Sequence, residues 1–376
     1  MPRVLLAPDK FKGTLTAAEV AAHLEVGLRS VVPGVEVAVV PVADGGDGTL
    51  AAAEAAGFER VPVRATGPTG VPCWASYGRR GDEAVVELAE VSGLARLGDG
   101  GLAPLTATSR GTGELVAAAL DAGCRRVVVG IGGSASTDGG AGMLQGLGAR
   151  VSGPRGRALH AGGGALIEVV SLDLSELHPG LADAELVVAC DVDNPLTGPH
   201  GAAAVYGPQK GAGPDDVQTL DLALSAWADV VAEATGRDLR NQPGAGAAGG
   251  VGFALLAVLG ARMQAGADLV AGLTGLADAV CAADLVITGE GSLDVQSLRG
   301  KAPTAVAAMA RDKGVPVVAV AGRVALDEAT LRAAGIGAAY PLLAEAGDER
   351  EAFERPGPLL ERIGARIARD HLGGAS

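Results

Sequence analysis

Five segments of the chain combine carboxylates with glycine, lysine or hydroxyl groups, which are the groups that phosphate chemistry requires. Glycine amides and lysines hold phosphates, whereas carboxylates hold Mg²⁺, a hard ion that prefers oxygen ligands. A further carboxylate can accept the proton of an attacking hydroxyl. Transfer of a phosphoryl group depends mainly on positioning and charge neutralisation of this kind. The segments are residues 9–13, 44–49, 132–142, 191–194 and 289–294.

The longest of these segments follows the β-branched run 127–129 and leads into a helix-forming stretch. Glycines permit positive φ angles and close approach of another group to the backbone. A loop of this kind before a helix N-terminus offers unpaired N–H groups to an anion. An ordinary tight turn between a strand and a helix is an equally good interpretation of this loop alone. The glycine-dense segment 244–252 likewise predicts either close approach to a nucleotide or a helix-packing surface.

The sequence lacks the motifs of several other enzyme classes. No GxxxxGK[ST] motif occurs, and the five histidines show neither HExxH spacing nor a nucleophile elbow nearby. Residues 130–135 do match the dinucleotide pattern G-x-G-x-x-G/A, but residues 150–157, where the ribose-binding acid is expected, contain none. Two alternatives remain open: an NAD(P)-dependent oxidoreductase of a small hydroxy acid, and a non-catalytic flavodoxin-like protein that binds a metabolite.

Lysine is scarce, since it supplies only five of the 30 basic residues. Lysine is a compact point charge that the planar guanidinium of arginine does not imitate. Four of the five lysines lie in glycine- or proline-containing stretches beside the candidate loops: Lys10, Lys12, Lys210 and Lys301. This placement predicts that they neutralise bound anions.

Composition narrows the class of protein. The net charge of −14 argues against a nucleic-acid partner, and no apolar run approaches the ~18 residues of a membrane span. The four cysteines are widely spaced, which is typical of reduced thiols without a zinc site. The apolar stretch before Asp9 is too short for a signal peptide. We therefore expect a cytoplasmic protein, monomeric or homodimeric, with small-molecule partners.

Strand–loop–helix units are predicted at both ends of the chain, with less regular material between them. Thr16 and Glu19 form a capping box that begins the first helix, which we expect to end near Val32. Near the other end, residues 285–288 are predicted as a strand followed by a loop, and residues 349–371 as a last helix. This pattern predicts an α/β fold of two domains. One is a doubly wound parallel sheet made of residues 1–70 and 283–376, and the other is an insertion of residues 71–282.

As a set, the motifs resemble the glycerate kinase family, the bacterial-type enzymes unrelated to P-loop kinases. The resemblance covers essentially the whole chain. It rests on residues 8–15 (PDKFKGTL), 43–49 (ADGGDGT), 130–143 (GIGGSASTDGGAGM), 190–196 (CDVDNPL), 207–212 (GPQKGA), 244–250 (GAGAAGG), and 288–291 (TGEG) with 300–303 (GKAP). The resemblance implies ATP- and Mg²⁺-dependent phosphorylation of D-glycerate, with 2-phosphoglycerate favoured over 3-phosphoglycerate as product. It also implies a flavodoxin-like domain, an inserted domain similar to a restriction-endonuclease core, and an active site in the cleft between them.

Three positions depart from the family pattern. Ser292 stands where the family often has arginine, Asp47 where glutamate is usual, and Thr137 where asparagine is usual. The last two keep hydrogen-bonding ability, but Ser292 removes a positive charge. Arg299 is the predicted substitute for that charge.

Each candidate residue thus has a predicted role. Asp191 is predicted as the base or electrostatic partner of the attacking hydroxyl, assisted by Lys10 and Lys12. The predicted substrate-binding residues are Asp193, Asn194, Lys210, Asp44 and Arg299. The predicted nucleotide-binding residues are Gly132, Gly133, Ser134, Gly289, Glu290 and Lys301. Asp138 and Glu290 are the predicted Mg²⁺ ligands, directly or through water.

Overall fold

A computed structural model describes residues 1–298 and 301–373 and divides the chain into two compact units. Unit 1 comprises Met1–Asp44, Ala51–Ala56 and Ala267–Ser376, and unit 2 comprises Gly45–Leu50 and Gly57–Gly266. The strands are β1 (Arg3–Pro8), β2 (Glu36–Val39), β3 (Glu59–Thr66), β4 (Pro72–Arg80), β5 (Glu83–Glu87), β6 (Arg126–Gly130), β7 (Arg150–Ser152), β8 (Ser171–Asp173), β9 (Glu185–Ala189), β10 (Arg262–Gln264), β11 (Leu285–Leu293), β12 (Val317–Val324) and β13 (Ala338–Pro341).

The helices complete both units, and no described helix has the length and apolar character needed to cross a membrane. The α-helices are α1 (Ala17–Val31), α2 (Thr49–Ala55), α3 (Ala89–Ser92), α4 (Arg110–Asp121), α5 (Ala141–Gly146), α6 (Ala202–Tyr206), α7 (Pro214–Thr235), α8 (Ala247–Ala257), α9 (Gly266–Thr274), α10 (Leu276–Cys281), α11 (Ala302–Lys313), α12 (Glu328–Ala333), α13 (Glu349–Glu354) and α14 (Pro356–Ile367).

Unit 1 is built on a five-stranded parallel sheet in the order β13-β12-β11-β1-β2. Numbered within the unit, this is the flavodoxin-like order 2-1-3-4-5, in which the strand order reverses between β1 and β11. β1 is apolar throughout because both of its faces are covered. Val4 and Leu6 pack with α1 and α14, while Leu5 and Ala7 pack with α9, α10 and α11 on the other face. The prediction of an α/β fold with a doubly wound parallel sheet is therefore confirmed.

Unit 2 contains a six-stranded mixed sheet in the order β10-β9-β6-β5-β4-β3. β10, β9, β6 and β5 run parallel to one another, whereas β4 and β3 continue the sheet as an antiparallel hairpin. Its core contains Trp227, Tyr77 and Met143 among many smaller apolar side chains. The four parallel strands place their carboxyl ends at one edge of the sheet, where ligands of such sheets bind.

The division along the chain differs from the predicted boundaries at residues 45–50, 57–70 and 267–282. β3 pairs with β4 over its whole length and so belongs to the sheet of unit 2. Ala271 of α9 and Val280 of α10 are buried in the core of unit 1. Pairing and packing of this kind involve residues distant along the chain, so local sequence patterns do not locate these boundaries.

Three predicted elements differ from those observed. The predicted loop 289–294 is largely a continuation of β11, in which Glu290 pairs with Ala321 and Ser292 with Arg323 of β12. The predicted last helix is two helices, because Pro356 lacks the N–H that a continuous helix needs. The Ala- and Gly-rich run 247–263 has helical periodicity in the sequence, which predicts one helix, but the observed helix ends at Ala257 and is followed by β10. The predicted capping box of α1 is confirmed: Glu19 N donates to Thr16 Oγ1 at 3.3 Å, and Thr16 N to Glu19 Oε2 at 2.8 Å.

Two glycines let α1 and α14 pack closely in unit 1. A Cβ built on Gly27 would lie 2.1 Å from the carbonyl oxygen of Glu361, and one on Gly364 would lie 2.5 Å from that of Leu24. No side chain fits at such distances, so the two helix backbones approach through these glycines. Gly272 in α9 is exposed and has open space around its Cβ position.

We predict that Gly27→Ala lowers the free energy of unfolding by about 2 kcal/mol, because overpacking against fixed backbone outweighs the helix propensity gained. Gly272→Ala is the matched control. It should raise the free energy of unfolding by about 0.5–1 kcal/mol through helix propensity alone. Urea denaturation of both variants measures the difference. Equal shifts of the same sign would contradict close packing of α1 on α14.

Candidate active site

The carboxyl ends of β1 and β11 form the point where the strand order of unit 1 reverses, the usual ligand-binding position of this sheet type. Asp9 and Lys10 follow β1 directly, and Glu290 lies beside them on β11. Asp9 N donates to the carbonyl oxygen of Gly289 at 2.8 Å, and Lys10 N donates to Asp9 Oδ1 at 2.7 Å. These bonds hold the Asp9 carboxylate at the strand end.

Three carboxylates of unit 1 interact at this edge. Burial raises the pKa of Asp9 to about 7, with further contributions from Asp44 and Glu290 and opposition from Lys10. Burial also raises the pKa of Glu290, opposed by Ser297 and by Lys301 at the start of α11. No group of three or more His, Cys, Asp or Glu side chains is close enough to form a preformed metal site in the part of the chain that the structure describes.

Glu290 is the predicted metal ligand whose geometry suits a cation. Its Oε1 atom is buried and has no hydrogen-bond partner among the described residues. Carboxylates that repel one another, together with an unpartnered buried oxygen, are stabilised when a hard cation binds between them. Of the predicted residues, Lys10, Asp44, Gly289, Glu290 and Lys301 all lie in unit 1 near this edge, whereas Arg299 lies outside the described residues.

In unit 2, three neighbouring strands end side by side. Glu87 pairs with Gly130, and Gly130 with Ala189, so that the loops after β5, β6 and β9 begin at one level. The segment 45–50 crosses these ends, and a Cβ built on Gly130 would lie 2.7 Å from the carbonyl oxygen of Gly45. Glycine at position 130 is therefore required by backbone contact.

Asp138 organises the long glycine-rich loop from inside. It is 1% exposed. Its Oδ2 accepts hydrogen bonds from Ser109 N at 2.8 Å, Ser109 Oγ at 2.9 Å and Gly142 N at 3.3 Å, and its Oδ1 accepts one from Gly140 N at 3.2 Å. The carboxylate thus accepts the hydrogen bonds of the amides at the start of α5. A bound phosphate is one of the predicted partners of these same amides. We revise the predicted metal-binding role of Asp138 to a structural one.

Lys210 supports the same loop from the opposite side. Its side chain is 1% exposed, and Nζ donates to Ser134 Oγ at 2.8 Å and to the carbonyl oxygen of Ser136. Burial lowers the pKa of Lys210 to about 7, with partial opposition from the charge of Asp138. Because the ammonium group is inside unit 2, we also revise its role from contacting substrate to positioning the loop.

The glycine-dense segment 244–252 packs on this loop rather than leaving space for a ligand. Gly249 has φ +69°, and a Cβ built on it would lie 2.1 Å from the carbonyl oxygen of Ser136. Gly139 N donates to Gly249 O at 2.9 Å, and Trp227 Nε1 donates to Gly139 O at 3.0 Å. Within 132–140, only Gly133 is exposed and only Gly132 partly exposed, so the accessible part of the predicted phosphate cradle is these two residues.

The segment after β9 carries the predicted catalytic aspartate. Asp191 is exposed, and its Oδ1 accepts a hydrogen bond from Gly266 N at 2.8 Å, which orients the carboxylate. Asp193 is also exposed. Asn194 is engaged within the chain, since its Nδ2 donates to His200 O at 2.8 Å and its Oδ1 accepts from the Tyr206 hydroxyl at 2.6 Å. Asp191 and Asp193 thus present carboxylates to solvent, whereas Asn194 shapes the following turn.

Glu87 is a buried strand-end carboxylate that sequence reasoning did not single out. It accepts hydrogen bonds from Leu50 N at 2.9 Å and from Gly48 N at 3.2 Å, and so caps the first turn of α2. Burial raises the pKa of Glu87 to about 7, and the charges of Asp47 and Glu90 act in the same direction. The signal was present in the sequence, because Glu87 ends an apolar run as Asp9 and Asp191 do.

The dinucleotide pattern at residues 130–135 lacks its structural context. In a dinucleotide fold the glycine-rich turn opens directly into a long helix. Here α5 begins only at Ala141 and has six residues, and its N-terminal amides are occupied by Asp138. The geometry does not favour the oxidoreductase alternative.

Carboxylates and lysines gathered at the carboxyl edge of a doubly wound parallel sheet fit an α/β enzyme of the phosphotransferase type. The chain belongs to the glycerate kinase family, whose sequence profile matches residues 4–372.

Similar proteins support this assignment along the whole chain. A protein of Bacillus subtilis (strain 168) named glycerate kinase is 45% identical over 369 residues, which are 97% of each chain. A protein of Escherichia coli (strain K12) named glycerate 2-kinase is 44% identical over 370 residues, again 97% of each. A crystal structure from Salmonella typhimurium LT2, provisionally named glycerate kinase 2, matches with a TM-score of 0.85 and 40% identity over 99% of each chain. The predicted family is confirmed.

We predict that Lys210→Met removes a pH dependence of stability. The pKa of Lys210 is 10.5 in the unfolded chain and about 7 in the folded one. At a pH between these two values, Lys210 is therefore protonated to a larger extent in the unfolded chain than in the folded one. The stability linked to this lysine is therefore complete above pH 10.5 and is lost as pH falls towards 7. Urea denaturation between pH 7 and 10 should show that the free energy of unfolding of the native protein rises with pH, and that this rise is smaller in the variant.

Lys313→Met is the matched control, since Lys313 is exposed on α11. In this variant the free energy of unfolding should rise with pH as steeply as in the native protein. Identical slopes for all three proteins would show that Lys210 is not buried in its folded state.

Proposed function

We propose that this protein transfers the γ-phosphoryl group of ATP to a hydroxyl of D-glycerate, with 2-phosphoglycerate as the product. The observation that carries the proposal is the set of carboxylates and lysines at the strand-order reversal of unit 1, in a chain of the glycerate kinase family. The choice of the 2-position rests on similarity to the Escherichia coli protein named glycerate 2-kinase.

Unit 1 supplies the groups that would manage phosphate charge. Glu290 would hold Mg²⁺ through its unpartnered Oε1, with Asp9 and Asp44 near enough to add charge. Mg²⁺ is commonly bound by one or two carboxylates plus substrate phosphates, so a preformed three-ligand cluster is not required. When bound, the ion would neutralise charge on the transferred phosphoryl group. Lys10 and Lys301 would pair with the remaining phosphate oxygens.

Unit 2 supplies the groups that would handle the acceptor hydroxyl. Asp191, oriented by Gly266 N, would accept its proton or stabilise it electrostatically. Asp193 would bind a glycerate hydroxyl, and Asn194 would fix the turn that carries them. The exposed Gly133 is the remaining candidate for a phosphate contact, because Gly132 N already donates to Gly45 O at 3.4 Å. Ser134 is held next to it by Lys210.

The proposal is tested by ADP release in a coupled assay with purified protein, ATP, MgCl₂ and D-glycerate, with products resolved as 2- or 3-phosphoglycerate. We expect turnover that requires D-glycerate, stops with EDTA and resumes with added Mg²⁺, and yields 2-phosphoglycerate. Formation of 3-phosphoglycerate would overturn the assignment of position. Absence of ADP release, with a glycerate-dependent absorbance change of NAD(P)H, would overturn the kinase assignment.

We predict that Asp191→Asn lowers kcat by about 100-fold or more, because general base catalysis typically contributes ~10²–10⁴ in rate. Asparagine keeps the acceptor for Gly266 N, so the local fold should persist. Asp193→Asn, at an exposed position two residues on, should instead raise the KM for D-glycerate with a smaller change in kcat. Initial-rate kinetics separate the two effects. Near-normal turnover by Asp191→Asn would reject its catalytic role.

A further inference from the structure

A cavity of about 290 Å³ opens in unit 1 beside the strand-order reversal. Its walls come from the residues that follow β1, from the last residues of β11 and β12, and from α13. All of these strand ends lie at the carboxyl edge of the parallel sheet, where ligands of this fold bind. Glu290, next to the lining residue Gly291, connects the cavity to the carboxylate edge described above.

One wall of the cavity is cationic. Lys12 and Arg323 both line it and are exposed. Arg323 lies on β12 directly opposite Ser292 of β11, with which it pairs in register. No ion pair or hydrogen bond joins the Lys12 ammonium or the Arg323 guanidinium to another side chain that the structure describes. In a chain with net charge −14, two cations without carboxylate partners indicate an anionic ligand.

Another wall is aromatic and apolar. The chain has only four phenylalanines, and two of them, Phe11 and Phe353, line this cavity together with Leu342. Phe353 is 62% exposed although it is a large apolar side chain. Its ring lies 3.8 Å from the position of a Cβ built on Gly13, so it covers the turn after Lys12. An exposed aromatic ring beside cations suits a ligand that carries both a planar ring and anionic groups.

The acidic residue of the cavity completes this chemistry. Glu349, the first residue of α13, lines it and can accept a hydrogen bond from an exocyclic amino group. A small hydroxy acid has no ring to place against Phe353 and no donor amine for Glu349. The combination therefore favours a nucleotide whose base carries an exocyclic amino group, as adenine does, over the acceptor substrate.

We propose that this cavity binds the donor adenine nucleotide, with the base against Phe353 and the phosphates towards Lys12 and Arg323. Arg323 then supplies, from the neighbouring strand, the positive charge that Ser292 lacks. The phosphate end points towards Glu290 and its predicted metal ion. This assignment rests on the proposed function, because it requires a nucleotide donor. Neither the motifs nor the family resemblance singles out Arg323 or Phe353.

The test is calorimetric titration of ADP into the full-length protein without glycerate, followed by initial-rate kinetics with ATP and D-glycerate. Phe353→Ala and Arg323→Ala should each raise the dissociation constant of ADP and the KM for ATP by about tenfold or more, as expected for a lost base stack or a lost charged hydrogen bond. The KM for D-glycerate should change less than about twofold. Phe353→Leu, which keeps apolar volume but loses the aromatic face, should bind ADP more weakly than the native protein.

Arg350→Ala is the matched control. Arg350 lies on α13 beside the lining residues, is paired with Glu354, and does not line the cavity. Its ADP affinity should equal that of the native protein, whereas a loss equal to that of Arg323→Ala would show a general charge effect and overturn the proposal. Unchanged ADP affinity in both cavity variants, or a raised KM for D-glycerate alone, would also overturn it.

These outcomes are distinct from failure of the proposed function. Native protein that binds ADP with the expected losses in the variants, but does not phosphorylate D-glycerate, would support the cavity assignment and reject the substrate. If the native protein phosphorylates D-glycerate but the cavity variants keep their KM for ATP, the proposed function would be supported and the cavity assignment rejected.

Discussion

The glycine-rich loop of unit 2 depends on two buried charges. Asp138 accepts hydrogen bonds from the amides at the start of α5, and Lys210 donates to Ser134 and Ser136 earlier in the loop. A buried charge is stable only when hydrogen bonds and opposite charge replace its lost hydration. The loop must therefore adopt the one conformation that satisfies both groups. Glycine is needed at position 132 because a Cβ there would lie 2.5 Å from the Cα of Gly46, and at positions 139 and 140 because their φ angles are +62° and +74°.

The parallel sheets explain why chemistry gathers at particular edges. In unit 1 all five strands run in one direction, so the residues that follow them meet at one edge. Helices cover both faces of the sheet and bury its apolar side chains. Charged side chains are thus excluded from the faces and accumulate at the strand ends. There, partial burial raises the pKa of Asp9 to about 7 and also raises that of Glu290, because the charged carboxylates lose hydration.

Sequence reasoning located the strand-end segments but assigned some side chains to the wrong environment. Asp138 and Lys210 have the residue types of ligands, yet both point into the protein. Whether a polar side chain in a glycine-rich loop faces inwards depends on segments far along the chain, here residues 108–109 and 244–252. The proposed roles of Arg323 and Phe353 have no local sequence signal for the same reason. Each is unremarkable in its own stretch, and they share a cavity only because β12 and α13 lie beside the end of β1.

The sequence alone determined the α/β class, the parallel character of the sheet, the family and the capping of α1. Each of these follows from local patterns: apolar strands, glycine-rich turns and motifs in a recognisable order. Only the tertiary structure decided the unit boundaries, the extension of β11 through Glu290 and Ser292, and which charges are buried. Strand pairing and burial are set by contacts between distant segments, and the free energies of those contacts are not encoded in any single stretch of the chain.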